Sequence, residues 1–441
     1  MKISLFGQFG SGNTGNDGSL ESMILFLRKM RPDAELLCIC SDPKDVQARY
    51  GIPAMSVGGP ALSGTAARLL NKTFCNLPRR LALLCTALVQ FSGIDLLIIP
   101  GTGILDDFQE RAFGWPLVLF CWCLAARVRN TPIAFVSIGA GPINGRLSRW
   151  LLVSAARMAT YRSYRDDTSL HFMKSVGVDT IKDYRYPDIA FSLPSPPSSP
   201  NESGQPPARQ PCAGRGATGS DKPLTIGVGI MKYRGWQSDD PRADKIYADY
   251  IAKMSHFLTR LLADGHRICL FMGDVTDELA RDDILTALAG AISTSDRARL
   301  EVHSVASLHD VMAIVGRVNV TIVSRYHNLV CSLKLARPSI SLGYAQKNDD
   351  LMQAFGQQAY CRHIETFDTE ELLVLVRQLI AKRIDVTEII DLFNARVQLL
   401  LADQQDLLKR TLLPDQLPLM TAGPLEASEV PDRSEGKAAV L

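Results

Sequence analysis

The chain has 441 residues, 48 basic and 46 acidic side chains, and a formal net charge of +2. That length holds two domains with separate cores, and the balanced charge excludes a nucleic-acid binder, which needs a basic stripe to neutralise phosphates. Ten cysteines form no CxxC pair and sit mostly in apolar runs, so they read as free thiols of a reducing compartment, not as a disulfide framework.

In chain order, residues 1–6 read as a buried strand leading into Gly7-Gln8-Phe9-Gly10-Ser11-Gly12-Asn13-Thr14-Gly15-Asn16-Asp17-Gly18. A helix follows over 19–30, with Leu20, Met23, Ile24 and Leu27 on one face. Such a turn offers backbone N–H groups and a positive helix end to a phosphate or carboxylate; a tight first turn of an α/β domain accounts for the same glycines. No Lys-Ser/Thr pair follows, so it is neither a Walker loop nor a dinucleotide fingerprint. Residues 95–100 form an apolar strand ending in Gly101-Thr102-Gly103-Ile104-Leu105-Asp106-Asp107, and 131–138 repeat the design before Gly139-Ala140-Gly141-Pro142-Ile143. Glycines at strand ends let a ligand approach the backbone, or simply turn the chain. The polar block Ser163-Tyr164-Arg165-Asp166-Asp167-Thr168-Ser169-Leu170 opens another helix.

Residues 193–223, rich in Pro, Ser and Gly, cannot bury a core and predict a flexible linker between a domain at 1–192 and a second at 224–412. The second domain starts with a strand over 224–230 whose end carries Lys232, Tyr233, Arg234 and Trp236. Strand and helix then alternate, which implies parallel sheets with right-handed crossovers. Residues 369–382 and 387–412 read as helices, and 413–441 as a disordered tail. The most informative stretch is 319–356: a strand at 320–323, the corner Ser324-Arg325-Tyr326-His327, an apolar helix, a strand at 338–344 and then Ala345-Gln346-Lys347. Ligands of open α/β sheets sit at strand carboxyl ends, so Arg325, His327, Tyr344 and Lys347 are expected in one crevice. Taken alone, His327 reads more readily as a hydrogen-bonding residue at a helix start than as a catalyst.

The order Arg325-Tyr326-His327, Arg337-Pro338 and Tyr344-Ala345-Gln346-Lys347 resembles the C-terminal signature of the polysaccharide pyruvyl transferase family. Gly10-Ser11-Gly12-Asn13-Thr14-Gly15 is similar to that family's first loop, with Asn16-Asp17 where the family has Asp-Glu. The glycine corners resemble its two later elements, with Thr102 replacing a glycine, and Arg165-Asp166 with Asp188-Ile189-Ala190-Phe191 resembles its Arg-Asp-x-x-Ser and Asp-Pro-Ala-Phe pieces.

The resemblance implies an α/β protein with two Rossmann-like domains, their parallel sheets facing a central cleft as in two-domain GT-B glycosyltransferases. It implies transfer of the pyruvyl group of phosphoenolpyruvate to two hydroxyls of a sugar in a polysaccharide or its precursor, giving a pyruvate ketal and phosphate. Phosphoenolpyruvate is then a co-substrate, with no cofactor and no metal; the other histidines show no zinc spacing. By the same resemblance His327 and Arg325 are catalytic, and Arg165, Lys347, Tyr344, Gly10, Gly12, Asn13, Gly139 and Gly141 bind the donor. Arginine suits carboxylate and phosphate because its fork binds two oxygens, and histidine serves as acid or base near neutral pH. Two other readings stand beside this one: a GT-B glycosyltransferase using a nucleotide sugar, and a non-catalytic sugar-binding descendant, suggested by Asn16-Asp17. The expected partners are phosphoenolpyruvate and a sugar or lipid-linked glycan, with no nucleic acid. Without a secretory segment or an apolar run of ~20 residues, the chain is expected in the cytoplasm, free or at the inner membrane face. Arg79-Arg80 ahead of 81–88 reads first as the solvated start of a core helix and second as a peripheral contact with anionic lipid.

Overall fold

Each strand is separated from the next in sequence by a helix or a long connection, so the chain cannot fold back as hairpins and every ladder of the computed structural model is parallel. The structure describes residues 1–58, 77–196, 223–237 and 239–413. The linker expected at 193–223 and the tail at 413–441 lie almost wholly outside these residues.

The first sheet contains β1 (Lys2–Phe6), β2 (Glu35–Cys40), β3 (Ala54–Ser56), β4 (Leu96–Pro100), β5 (Ile133–Ile138), β6 (Tyr161–Tyr164) and β7 (Tyr184–Arg185), in the order β3-β2-β1-β4-β5-β6-β7. The second contains β8 (Thr225–Gly229), β9 (Arg267–Phe271), β10 (Leu300–Val302), β11 (Val320–Val323), β12 (Ser339–Gly343) and β13 (Cys361–His363), in the order β10-β9-β8-β11-β12-β13. Strands β4, β5, β11 and β12 are buried at every residue, as their unbroken apolar or small-residue runs require when helices cover both faces. Strand order reverses between β1 and β4 and between β8 and β11, and the loops leaving these strands meet between the domains.

The helix Thr14–Met30 starts five residues before the expected 19–30, because the Asn13 side chain accepts the N–H groups of Gly15 and Asn16 and caps it there. Gly15 and Gly18 thus lie in its first turns, where each costs about 1 kcal/mol of helix propensity. What they permit is contact between domains. A Cβ on Gly15 would overlap the His327 ring, and one on Gly18 would overlap Leu308 of the second domain. The glycine turn is bonded across the same gap: Thr14 N donates to the Gly273 carbonyl (3.1 Å), Val275 N to the Gly12 carbonyl (3.0 Å), and Asn13 Nδ2 to Asp274 Oδ2 (2.8 Å).

The domains also exchange segments. Phe191 and Leu193 pack in the second core, whereas the final helix, Arg383–Leu412, packs Val386, Ile390, Val397 and Leu401 in the second core and reaches the first with its C-terminal turns. There Gln404 donates to Ser137 Oγ (2.7 Å), and Leu408 and Leu413 join Ile3 and Leu5. Residues 224–412 are therefore not confined to one domain.

Gly15→Ala is expected to force the His327 helix away from the helix Thr14–Met30, lowering stability by about 1–3 kcal/mol as overpacking does. Thermal melting checks this; an unchanged melting temperature would mean that the close approach carries no weight.

Candidate active site

The facing strand ends enclose a cleft of about 700 Å³. Six sequence-identified residues line it: Asn13, Arg165, Arg325, His327, Tyr344 and Lys347. Glycines make room for its charges. At Gly139, which follows β5, a Cβ would stand 2.5 Å from Arg165 Nη2, so the bare backbone makes room for the guanidinium. At Gly103, beyond β4, a Cβ would meet Asp106 Oδ2 at 2.9 Å, Lys347 Nζ at 3.6 Å and Arg165 Nη2 at 3.8 Å, so three charged groups of both domains converge there.

Each large cation has carboxylate partners. Arg325 holds Asp277 with two bonds of 2.7 Å and lies 3.5 Å from Asp274. Burial works against its charge, but Asp277 and Asp274 outweigh it and raise its pKa further. Arg165 donates to Asp188 (3.2 Å) and lies 3.9 Å above the Tyr326 ring. Lys347 is 3.6 Å from Asp106, whose carboxyl is pushed up by burial and held back by Lys347. Lys232, also on the cleft wall, has no carboxylate partner among the described residues.

His327 follows Tyr326 at the start of the helix Tyr326–Lys334, over the Gly15 backbone. Its Nε2 is buried, makes no hydrogen bond, and stands 3.7 Å from Asp188 Oδ2. Burial is the main cause that pulls its pKa down to about 4, with Arg165, Lys347 and Arg325 adding repulsion and Asp188 opposing them. At neutral pH the ring is an uncharged base.

Much of the glycine turn is engaged within the protein. The Gly10 N–H is taken by Asp17 Oδ1 (2.8 Å), Gly12 faces Val275, and both ends of the Asn13 amide are engaged, one in the helix cap and one on Asp274. The Gly12 carbonyl and the Asn13 amide join the domains. Gly141 lies under the Phe172 ring and Gly139 under Arg165, so these two shape the site from behind. Asp17 bridges Gly10 and Arg49 away from the cleft, while Asn16 lines it.

Sequence reasoning passed over Asp274 and Asp277, which follow β9 as Arg325 follows β11; the same strand-end rule finds them. It also left out Tyr326, Gly15 and Gly103, whose roles exist only once the domains meet. A second cavity of about 420 Å³ lies behind Arg165 and Tyr326, which line both, and is floored by Phe355 and Phe393 with Asp350 and Arg396 at its edge. Away from the cleft, ligand atoms of Cys269, Glu301 and His303 come within 4.8 Å of one another, but Arg267 already pairs with Glu301 at 3.1 Å. Among the described residues no helix is long and apolar enough to cross a membrane.

The neutral buried imidazole gives a pH signature. An unfolded chain binds a proton on this histidine near pH 6.5 and the folded chain only near pH 4, so acidification through that window favours unfolding, by on the order of 3 kcal/mol in full. Unfolding free energies at pH 7 and pH 4.5 are expected to differ more for the wild type than for His327→Phe; equal differences would refute the assignment.

Comparison with solved structures places this architecture. Over 95% of this chain and 98% of the other, it matches the UDP co-structure of S. aureus MnaA at 10% identity and a TM-score of 0.57. A UDP-N-acetylglucosamine 2-epimerase of Listeria monocytogenes matches over 95% and 99% (10% identity, TM-score 0.56), and Anabaena HepE in complex with UDP and glucose over 93% and 99% (12% identity, TM-score 0.53). These likenesses establish the two-domain GT-B-like fold expected from the sequence. No curated protein matches the chain. A family model, polysaccharide pyruvyl transferase, matches residues 13–346, from the Asn13 cap through both Arg-bearing corners to the first residue of the helix Gln346–Ala354; Gly10, Gly12 and Lys347 lie just outside it. The chain belongs to the polysaccharide pyruvyl transferase family and is a transferase.

Proposed function

We propose that the cleft binds phosphoenolpyruvate and transfers its pyruvyl group to two hydroxyls of one sugar of a glycan, forming a cyclic ketal and releasing phosphate. The observation that carries this reading is the convergence of Arg165 and Lys347 with Asp106 on the bare backbone of Gly103, beside the neutral His327. A donor bearing a carboxylate and a phosphate close together needs several cations at once, and Lys232 adds one without a carboxylate partner among the described residues.

In this reading Asp106, whose carboxyl burial keeps in its protonated form more readily than a surface carboxylate, gives its proton to the donor's methylene carbon. The adjacent carbon becomes electrophilic and a sugar hydroxyl attacks it, losing its proton to His327. His327 returns that proton to the departing phosphate as the C–O bond breaks. The second hydroxyl closes the ring and its proton restores Asp106. The methyl group keeps the proton Asp106 gave, which the second hydroxyl replaces, and phosphate leaves with the first hydroxyl's proton, so both side chains finish as they began. No cofactor enters this scheme.

Binding of a dianionic group beside Lys347 favours proton uptake by His327 and Asp106, since negative charge offsets the cations that now repel an imidazolium. The acceptor's surroundings include the second cavity, where phenyl faces and carboxylates offer stacking and hydrogen bonds to a sugar ring. A nucleotide-sugar glycosyltransferase is the competing reading, since structural neighbours of the same fold were solved with UDP.

Thermal protection separates the two, because a ligand that binds only the folded state raises its melting temperature with concentration. Phosphoenolpyruvate is expected to protect the wild type and to protect Lys347→Ala at least about tenfold more weakly, a loss of ~1.4 kcal/mol. Lys347 is the informative site: removing Arg325 strands the buried Asp277, which costs about 3–5 kcal/mol by itself. Protection by UDP-sugars and none by phosphoenolpyruvate would replace this reading with the glycosyltransferase one.

A further inference from the structure

The face of the first sheet opposite the helix Thr14–Met30 is covered by three adjoining helices, Leu77–Gln90, Trp115–Val128 and Arg146–Arg157. None of their residues is acidic, while Arg79, Arg80, Arg127, Arg146, Arg149 and Arg157 are basic. Helix starts ordinarily attract acidic side chains, because the helix dipole is positive there. Here Arg79, Arg80, Arg146 and Arg149 occupy first turns, and among the described residues no carboxylate pairs with Arg80, Arg146 or Arg149. The field at this end of the layer therefore favours an outside source of negative charge.

Apolar side chains stand among these cations. Leu81, Phe113, Leu147 and Trp150 are exposed, the two aromatics at 57% each. Two contacts join neighbouring elements on this face: the Arg80 guanidinium lies 3.9 Å above the Phe113 ring, and Trp150 meets Phe120 at 5.4 Å between centroids. Scattered exposed leucines are ordinary, but exposed aromatics among arginines on three adjoining helices are the composition of an interfacial anchor. Because the helices run antiparallel to the strands, these starts lie at the carboxyl ends of the strands, on the rim of the cleft. Glu110 and Trp115, which flank Phe113 in sequence, line the cleft itself. The next helix, Asp167–Ser175, bounds the patch with Asp167 paired to Arg185 at 3.1 Å.

We propose that this face docks the protein on an anionic lipid bilayer. Phe113, Leu147 and Trp150 enter the boundary between headgroups and acyl chains, and Arg80 and Arg146 meet anionic headgroups. Docking does not depend on the pyruvyl-transfer reading; with that reading, it sets the cleft beside a surface on which a lipid-linked glycan presents its sugar.

The test is co-sedimentation of the full chain with vesicles of phosphatidylcholine and phosphatidylglycerol, beside phosphatidylcholine alone. Binding is expected only to the anionic vesicles and is expected to weaken as salt screens the charges. Both Leu147→Ser/Trp150→Ser and Arg80→Glu/Arg146→Glu are expected to bind at least about tenfold more weakly, since the first removes apolar anchors and the second reverses cations at the headgroups. All four sites are away from the charged groups of the cleft, so protection by phosphoenolpyruvate should be unchanged and unaltered melting shows that the variants fold. Absence of wild-type binding, equal binding to neutral vesicles, or variants that bind as the wild type does would overturn the proposal. So would a wild-type dimer in sedimentation velocity that Trp150→Ser dissolves, which would assign the face to a second copy of the chain.

Discussion

Asp188 is the group on which the arrangement of the two domains turns. Its carboxylate is fully buried, accepts the Ala190 N–H at 2.9 Å and the Arg165 guanidinium at 3.2 Å, and faces His327 Nε2 at 3.7 Å. A buried carboxylate is tolerable only when paired and hydrogen-bonded, and here the pairing reaches across the domain boundary. Arg165 comes from the end of the first sheet and His327 from the second. Tyr326 is clamped between them, with its ring under Arg165 and edge-on to His327. Charge, aromatic packing and the glycine backbone at position 15 fix one closed geometry of the cleft.

That geometry explains why the site is rich in carboxylates although its expected donor is anionic. Paired arginines remain oriented and charged without substrate, and a carboxylate that can accept a proton, such as Asp106, releases its cation when a competing anion arrives. The cost is borne by groups left unsatisfied, among them Arg165 Nε, Asp166 Oδ2 and His327 Nε2, all buried and without hydrogen bonds.

Much of this was legible in the residues. The buried strands at 96–100, 133–138, 320–323 and 339–343 announce themselves by unbroken apolar or small side chains, and the strand-end rule places Arg325, His327, Tyr344 and Lys347 together before any coordinates are seen. The roles of the glycines were not legible. Gly12, Gly15 and Gly18 look like a phosphate loop because the sequence cannot express that a second domain will press on them; their partners, Val275, His327 and Leu308, lie hundreds of residues away. The start of the first helix was missed for a related reason: an Asn cap overrides two glycines when tertiary contact needs them. The final helix reads as part of the second domain by position, and the packing of its end near Ile3 and Leu5 with the Gln404 bond to Ser137 ties it to the first only once the chain is folded.

On the proposed mechanism, enzyme groups in the cleft protonate the donor's methylene and hand the resulting pyruvyl carbon to a sugar. The most direct test runs the reaction in heavy water with phosphoenolpyruvate and candidate glycans, following released phosphate and the product by NMR and mass spectrometry. The account predicts phosphate release only with an acceptor, an acceptor heavier by one pyruvate less one water, and a ketal methyl carrying one solvent deuteron. Phosphate release without acceptor modification, or glycosyl transfer from a nucleotide sugar in its place, would contradict it.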